Sequence, residues 1–200
     1  TKGLEYLKKI IRYNFDNNGF LKSRNIKSSI FFLKYLILIR EWFKESQSEI
    51  PEFIDESIFN LGQSYAFFWE NLKFDPLFNG NNISNNQEFD IYLKRLGYSF
   101  KNNDHEFSNY VSLKDKKINL IMDVGSPPNK KFSEEYQAGA LSFEFVSNGK
   151  KIFTNAGYYD YKNVKFKELS KSSAVHNVLI VDDNSSCKFI KNSLSKFEVK

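Results

Sequence analysis

The stretch Leu141-Ser142-Phe143-Glu144-Phe145, followed by Asn148-Gly149 and the β-rich run Ile152-Phe153-Thr154-Asn155, constrains this chain more than any other. Apolar and polar residues alternate strictly up to an Asn-Gly pair, which is the residue pair that a two-residue type I′ turn requires. A hairpin follows, and its loop sets the register. Phe145 is expected opposite Ile152, Phe143 opposite Thr154 and Ser142 opposite Asn155. Because side chains alternate between faces, Leu141, Phe143, Phe145 and Ile152 are expected on the core face, with Ser142, Glu144 and Asn155 on the polar face.

Before the hairpin the chain divides into two kinds of sequence. Leu4, Leu7, Ile10, Ile11 and Phe15 form one helical stripe that Asp16-Asn17-Asn18-Gly19 ends. A second helix is expected from Asn25 to Glu45. Its middle, Ile30 to Ile39, is apolar on nearly every side, which predicts burial between helices; Lys27, Lys34, Arg40 and Lys44 leave it well short of the roughly 20 apolar residues of a membrane span. A third helix starts at Pro51, tolerated in a first turn, and runs to about Lys73.

From Pro76 the sequence turns Asn- and Gly-rich, and a boundary is expected within residues 76–86. A short helix at Glu88 to Leu96 follows, then a hairpin pairing Phe107 to Leu113 with Lys117 to Val124. Ser173 to Asp182 reads as a further strand. Helices followed by short strands specify segregated layers: helical residues 1–78, then an antiparallel β domain over residues 79–200.

The chain starts at Thr1 and stops inside an alternating run, so it is expected to be an excerpt of a longer protein. A single cysteine, Cys187, excludes an internal disulfide and a cysteine metal site. The net charge of +5 is distributed over single lysines and short pairs. It suits an anionic polymer through long-range attraction without selecting one. No phosphate-binding loop, metal-finger spacing or nucleophile elbow occurs, and no nucleic-acid-binding motif, so nucleic acid is not an expected partner. Nothing in the sequence specifies an oligomeric state.

Three blocks in order, Gln137-Ala-Gly-Ala-Leu-Ser-Phe-Glu-Phe145, Asn155-Ala-Gly-Tyr-Tyr159 and Ser173-Ala-Val-His-Asn-Val-Leu-Ile-Val-Asp182, resemble the heparinase II/III-like polysaccharide lyases. The resemblance is good over residues 136–187 and loose over residues 17–190. It implies an α+β fold in which the N-terminal antiparallel helices are the end of an α/α toroid and an antiparallel β-sandwich follows. It further implies an acidic, uronic-acid-containing polysaccharide as partner, and a periplasmic or extracellular location.

Residue by residue, the resemblance places a metal site, usually zinc, at Gln137, Asn155 and His176. Zinc takes imidazole, thiolate or carboxylate at about 2.0–2.3 Å, and neutral amides substitute poorly. The expectation is therefore a degenerate site, metal-free or binding zinc only weakly, in which Gln137 and Asn155 can hydrogen-bond to His176 and hold the same loop together without metal. The catalytic histidine of the resembled family falls on Glu135, a carboxylate able to act as a base but also half of a solvated acidic pair. Tyr159, with Tyr158 and Tyr161, falls at the substrate cleft, where rings stack on sugars. Asn17 to Asn25 resembles a family segment that precedes a helix. There Arg24 can pair with a uronate carboxylate and Asn25 can donate to it, although Asn25 is also a good helix N-cap.

The chemistry implied is β-elimination at a uronic acid. The carboxylate must be neutralised before a base can remove the C5 proton while an acid assists departure of the C4 oxygen. The alternative is a degenerate carbohydrate-binding or cell-envelope polymer protein on the same scaffold, favoured by Gln137.

Overall fold

The computed structural model describes residues 2–70, 74–82, 87–159, 161, 163–191 and 197–200. Helices come first: α1 (Lys2–Asn14), α2 (Ile26–Glu45), α3 (Glu52–Tyr65), a π-helical turn (Ala66–Glu70) and α4 (Gln87–Arg95). The Asn25 carboxamide oxygen accepts from Ser28 N–H at 2.9 Å and caps α2. α2 packs on α3 through Leu33, Leu36 and Ile37. The expected all-round burial of the middle of α2 does not hold, since Phe31 and Tyr35 are exposed. Among the described residues, α3 is the helix that packs along it, and one neighbour covers one stripe.

The α-helical path of α3 ends at Tyr65, earlier than expected; residues 71–73 lie outside the described residues. In the wider turn that follows, Ala66, Phe67, Phe68 and Trp69 are all buried. Phe68 meets Phe20 and Tyr110, and Phe67 meets Phe107. One apolar core therefore runs from α2 and α3 through Phe20 and Phe78 into the sheet at Tyr110, Ile121 and Val146.

The sheet contains β1 (Glu106–Phe107), β2 (Tyr110–Lys114), β3 (Ile118–Asp123), β4 (Phe143–Ser147) and β5 (Lys150–Phe153), antiparallel and in sequential order. Both expected hairpins form. Asn148 (φ 49) and Gly149 (φ 73) take the two positive φ values of the tight turn between β4 and β5. Helix α5 (Val164–Lys171) and a separate hairpin of β6 (Phe189–Lys191) with β7 (Phe197–Val199) complete the described fold.

Two expectations about this sheet are corrected. The register starts as expected, Ser147 with Lys150 and Val146 with Lys151, but a bulge then places Phe145 opposite Phe153 rather than Ile152. The faces are also reversed. Ser142, Glu144 and Asn155 are buried, while Leu141, Ile152 and Phe153 are exposed and Phe143 and Phe145 half-buried.

Glu144 explains the reversal. Its carboxylate accepts from Lys151 Nζ at 2.9 Å, Asn155 N–H at 2.6 Å and the Thr154 hydroxyl at 3.0 Å. Lys151 Nζ also donates to the Asp75 carbonyl at 2.6 Å. A buried carboxylate is tolerated where it is fully hydrogen-bonded, and the bulge turns Lys151, Thr154 and Asn155 toward it.

Ser173 to Asp182 is not a strand. It forms a 3-10 turn at Ser173–Val175, then irregular chain with a bridge from Val181 to Asn184, and Leu179 and Val181 are exposed. β-branched residues make a strand only where a neighbouring edge satisfies their backbone groups, and among the described residues none does so here. No helix of the described residues is long and apolar enough to cross a membrane.

Candidate functional site

Two polar clusters lie where the helical residues, the sheet and the segments after β5 meet. The first is built around α2's N-terminus. Arg24, in a left-handed conformation (φ 57), is buried; its guanidinium pairs with Asp123 at the end of β3 at 2.5 Å and lies over the Tyr110 ring at 4.7 Å. Asn79 donates to the second Asp123 oxygen at 2.8 Å and lies 2.7 Å from the Tyr110 hydroxyl, and Gly125 N–H donates to Asp123 at 2.9 Å. Burial pushes the Asp123 carboxyl up, and Arg24, Gly125 and Asn79 pull it back. A side chain at position 125 would run into the guanidinium, its Cβ falling 2.1 Å from Arg24 Nη1, so any larger residue there has to displace Arg24.

Asp123, Asn79 and Tyr110 were not singled out from the sequence. The one available signal was Asn79-Gly80, a pair suited to the positive φ values of 22 and 75 found there. Arg24, expected to meet a substrate carboxylate, instead meets the protein's own. Its neighbour Asn25 is buried and serves two purposes: Oδ1 caps α2, and Nδ2 donates to the carboxylate of half-buried Glu135. Asn25 and Glu135 are 110 residues apart in sequence, and the fold brings them together.

The second cluster holds Gln137, Asn155 and His176. Gln137 is fully buried; its Nε2 donates to Gly157 O at 3.0 Å and Ser170 O at 2.7 Å and lies 3.4 Å from His176 Nε2. His176 Nε2 lies 3.2 Å from the same Ser170 carbonyl, which assigns the proton to Nε2. Burial lowers the imidazole pKa to about 4, against the opposing pull of that carbonyl, so the ring is neutral at pH 7. Asn155 stands one step away. Its Oδ1 accepts from Asn177 N–H at 2.9 Å, and Asn177 Nδ2 donates to Phe143 O at 3.2 Å.

Backbone bonds knit the same segments: Ala138 N to Lys171 O at 2.8 Å, Ala156 N to Val175 O at 3.1 Å, and the Ser173 hydroxyl to Ala138 O at 2.6 Å. Gln137 and His176 thus touch, whereas Asn155 is linked through Asn177 rather than bonded to His176. Gln137 Oε1 and Asn155 Nδ2 are buried and have no hydrogen-bond partner among the described residues.

These three side chains do not fit zinc. Gln137 presents its N–H group, not its oxygen, to His176, and the Asn155 oxygen is held by a backbone N–H. One imidazole remains as a donor, and no cluster of three or more His, Cys, Asp or Glu suited to a metal occurs among the described residues.

Beside this cluster is a cleft of about 200 Å³ lined by Ala156, Tyr158, Tyr159, Phe166, Leu169 and Val175, with Gly157 and Ser170 at the border with Gln137. Tyr159 is half-buried against Tyr161 and Phe166. Tyr158 is buried, with Lys167 Nζ 5.7 Å above its ring. Phe166 and Leu169 were not predicted as site residues. They belong to α5, whose stripe carries no sequence mark of a cleft.

Residues 101–199, close to half of the chain, match the family model described as heparinase II/III-like, C-terminal. No curated protein matches the chain significantly. Among solved structures, heparinase III aligns with a TM-score of 0.67 at 15% identity, over 94% of this chain and 36% of that one. The heparan sulfate lyase HepC from Pedobacter heparinus aligns with 0.72 at 12%, over 94% and 34%. The heparinase III-BT4657 gene product aligns with 0.68 at 17%, over 92% and 33%. The chain therefore spans about a third of the length of each, and identities this low carry the fold alone. Residues 101–199 therefore belong to the C-terminal region of the heparinase II/III-like family, and the order of helices then antiparallel sheet is the fold of the aligned structures.

Proposed function

We propose that this chain forms part of a polysaccharide lyase that cleaves an acidic, uronic-acid-containing polysaccharide by β-elimination. The observation that carries the reading is the meeting of Asn25 with Glu135, an amide donor from the helical residues 1–78 and a carboxylate from the β residues 79–200; Tyr158 and Tyr159 line an aromatic cleft in the same β residues.

In the reaction, a donor to the uronate carboxylate makes the C5 proton acidic; Asn25 Nδ2, now directed at Glu135, supplies one. Glu135 takes the C5 proton, the C–H electrons form the C4–C5 double bond, and the C4–O bond breaks with a proton delivered to the departing oxygen. Tyr159 supplies that proton through its hydroxyl, while Tyr158 and Tyr159 present rings to the sugar. Arg24, next to Asn25 in the chain, is held by Asp123 rather than binding the sugar itself. A protein acting on such polymers works in the periplasm or outside the cell.

Incubating the protein with uronate-containing polysaccharides and following ultraviolet absorbance of the new C4–C5 double bond tests this. Turnover that Glu135→Gln lowers by about 100-fold or more supports it, the usual scale for a lost general base.

A second reading, a non-catalytic carbohydrate-binding or envelope-polymer protein, is favoured by the commitment of Arg24 to Asp123 and by the amide at position 137. Retained polysaccharide binding with no absorbance change across uronate polymers would select it.

A further inference from the structure

We infer that the Gln137 amide nitrogen takes the structural place of a cation, holding together three chain segments without any metal. Two backbone carbonyls from separate segments, Gly157 before α5 and Ser170 at its end, converge on Nε2 at 3.0 and 2.7 Å, and the edge of the His176 ring closes the third side at 3.4 Å. Converging carbonyl oxygens repel one another unless positive charge lies between them, either an ion or the two hydrogens of an amide.

The orientation of Gln137 is unambiguous on chemical grounds. Were the amide reversed, its oxygen would face two carbonyl oxygens with no proton between them. Both Nε2 hydrogens are accounted for by those carbonyls, and the side chain is fully buried, so no water competes for them. The same convergence positions the cleft, because Gly157, Ser170 and Val175 line it. This inference does not depend on whether the protein is a lyase or a binder.

The consequence is a site one substitution away from metal dependence. Gln137→Glu keeps the shape but sets a carboxylate against the two carbonyls, leaving a gap in positive charge that a divalent cation can fill. Gln137→Ala removes the donor and supplies no ligand.

Metal content and thermal melting of the purified protein and both variants test the inference. The wild type is expected to carry far less than one zinc per chain and to melt at the same temperature with chelator or added zinc. Gln137→Glu is expected to melt lower by roughly 5 °C in chelator, the scale of losing one buried interaction, and to recover on addition of zinc or calcium. Gln137→Ala is expected to melt lower and to ignore both metals. One tightly held metal ion per wild-type chain, or a chelator-induced drop in its melting temperature, overturns the inference even if neither variant folds. A Gln137→Glu protein that melts as wild type and ignores metal overturns it as well.

Discussion

At the scale of single residues, burial decides chemistry more than identity does. Lys171 is 1% exposed, and desolvation with the nearby charge of Lys167 lowers its pKa from 10.5 to about 8 despite Glu134, Cys187 and Glu135. The folded form thus gives up its proton before the unfolded form does. Between about pH 8 and 10.5 the unfolded chain binds more protons, so this lysine's contribution favours folding increasingly as pH rises through that window, by a total on the order of 3 kcal/mol. Chemical denaturation at pH 7 and pH 10 is predicted to give a stability change more favourable in wild type than in Lys171→Met by about that increment. Tyr110, Tyr136 and Cys187, all pushed up by burial, work in the opposite direction in both proteins, so the difference between them isolates the lysine. Asn25 is the second residue to test. Asn25→Ala removes both a helix cap and the donor to Glu135, with a predicted loss of about 1–3 kcal/mol, read from the urea midpoint. Asn25→Asp keeps the cap but sets a carboxylate against Glu135, so it is predicted to lose at least as much.

At the scale of elements, turn and cap chemistry was legible and facing was not. Asn148-Gly149 turns where its residues demand, Asn25 caps α2, and the β2–β3 hairpin forms around Asp115, because each depends on a few neighbouring residues. The side of β4 that faces inward depends on what packs there. Lys151 reaches from the buried Glu144 to the Asp75 carbonyl, and alternation along one strand cannot report a partner near residue 75. Glu144→Ala leaves Lys151 and the Asn155 N–H without their acceptor and is predicted to cost about 3–5 kcal/mol, measured by denaturant unfolding. Glu144→Gln keeps part of the hydrogen bonding and is predicted to cost less. The Ser173 to Asp182 segment teaches the same lesson from the other side: β-branched content describes suitability for a sheet, and the edge that would pair with it must come from elsewhere.

At the scale of the whole molecule, helices and sheet share one apolar core through Phe20, Phe68, Phe78, Tyr110 and Ile121, with the Arg24–Asp123 pair buried at its margin. Far-ultraviolet circular dichroism and near-ultraviolet aromatic signals are therefore predicted to unfold in coincident transitions. Phe68→Ala, which empties the point where Phe20, Phe67 and Tyr110 meet, is predicted to shift both together at a cost of about 3–5 kcal/mol. The amino-acid sequence alone determined where helices begin, where the hairpins turn and which three short blocks mark the family, since those properties depend on residues close together in the chain. Only the tertiary structure decided that Glu144 lies inside and Leu141 outside, that Arg24 meets Asp123, and that Gln137 is placed between two carbonyls. Desolvation and hydrogen-bond satisfaction are set by atoms dozens of residues away, and only the folded chain brings those atoms within reach.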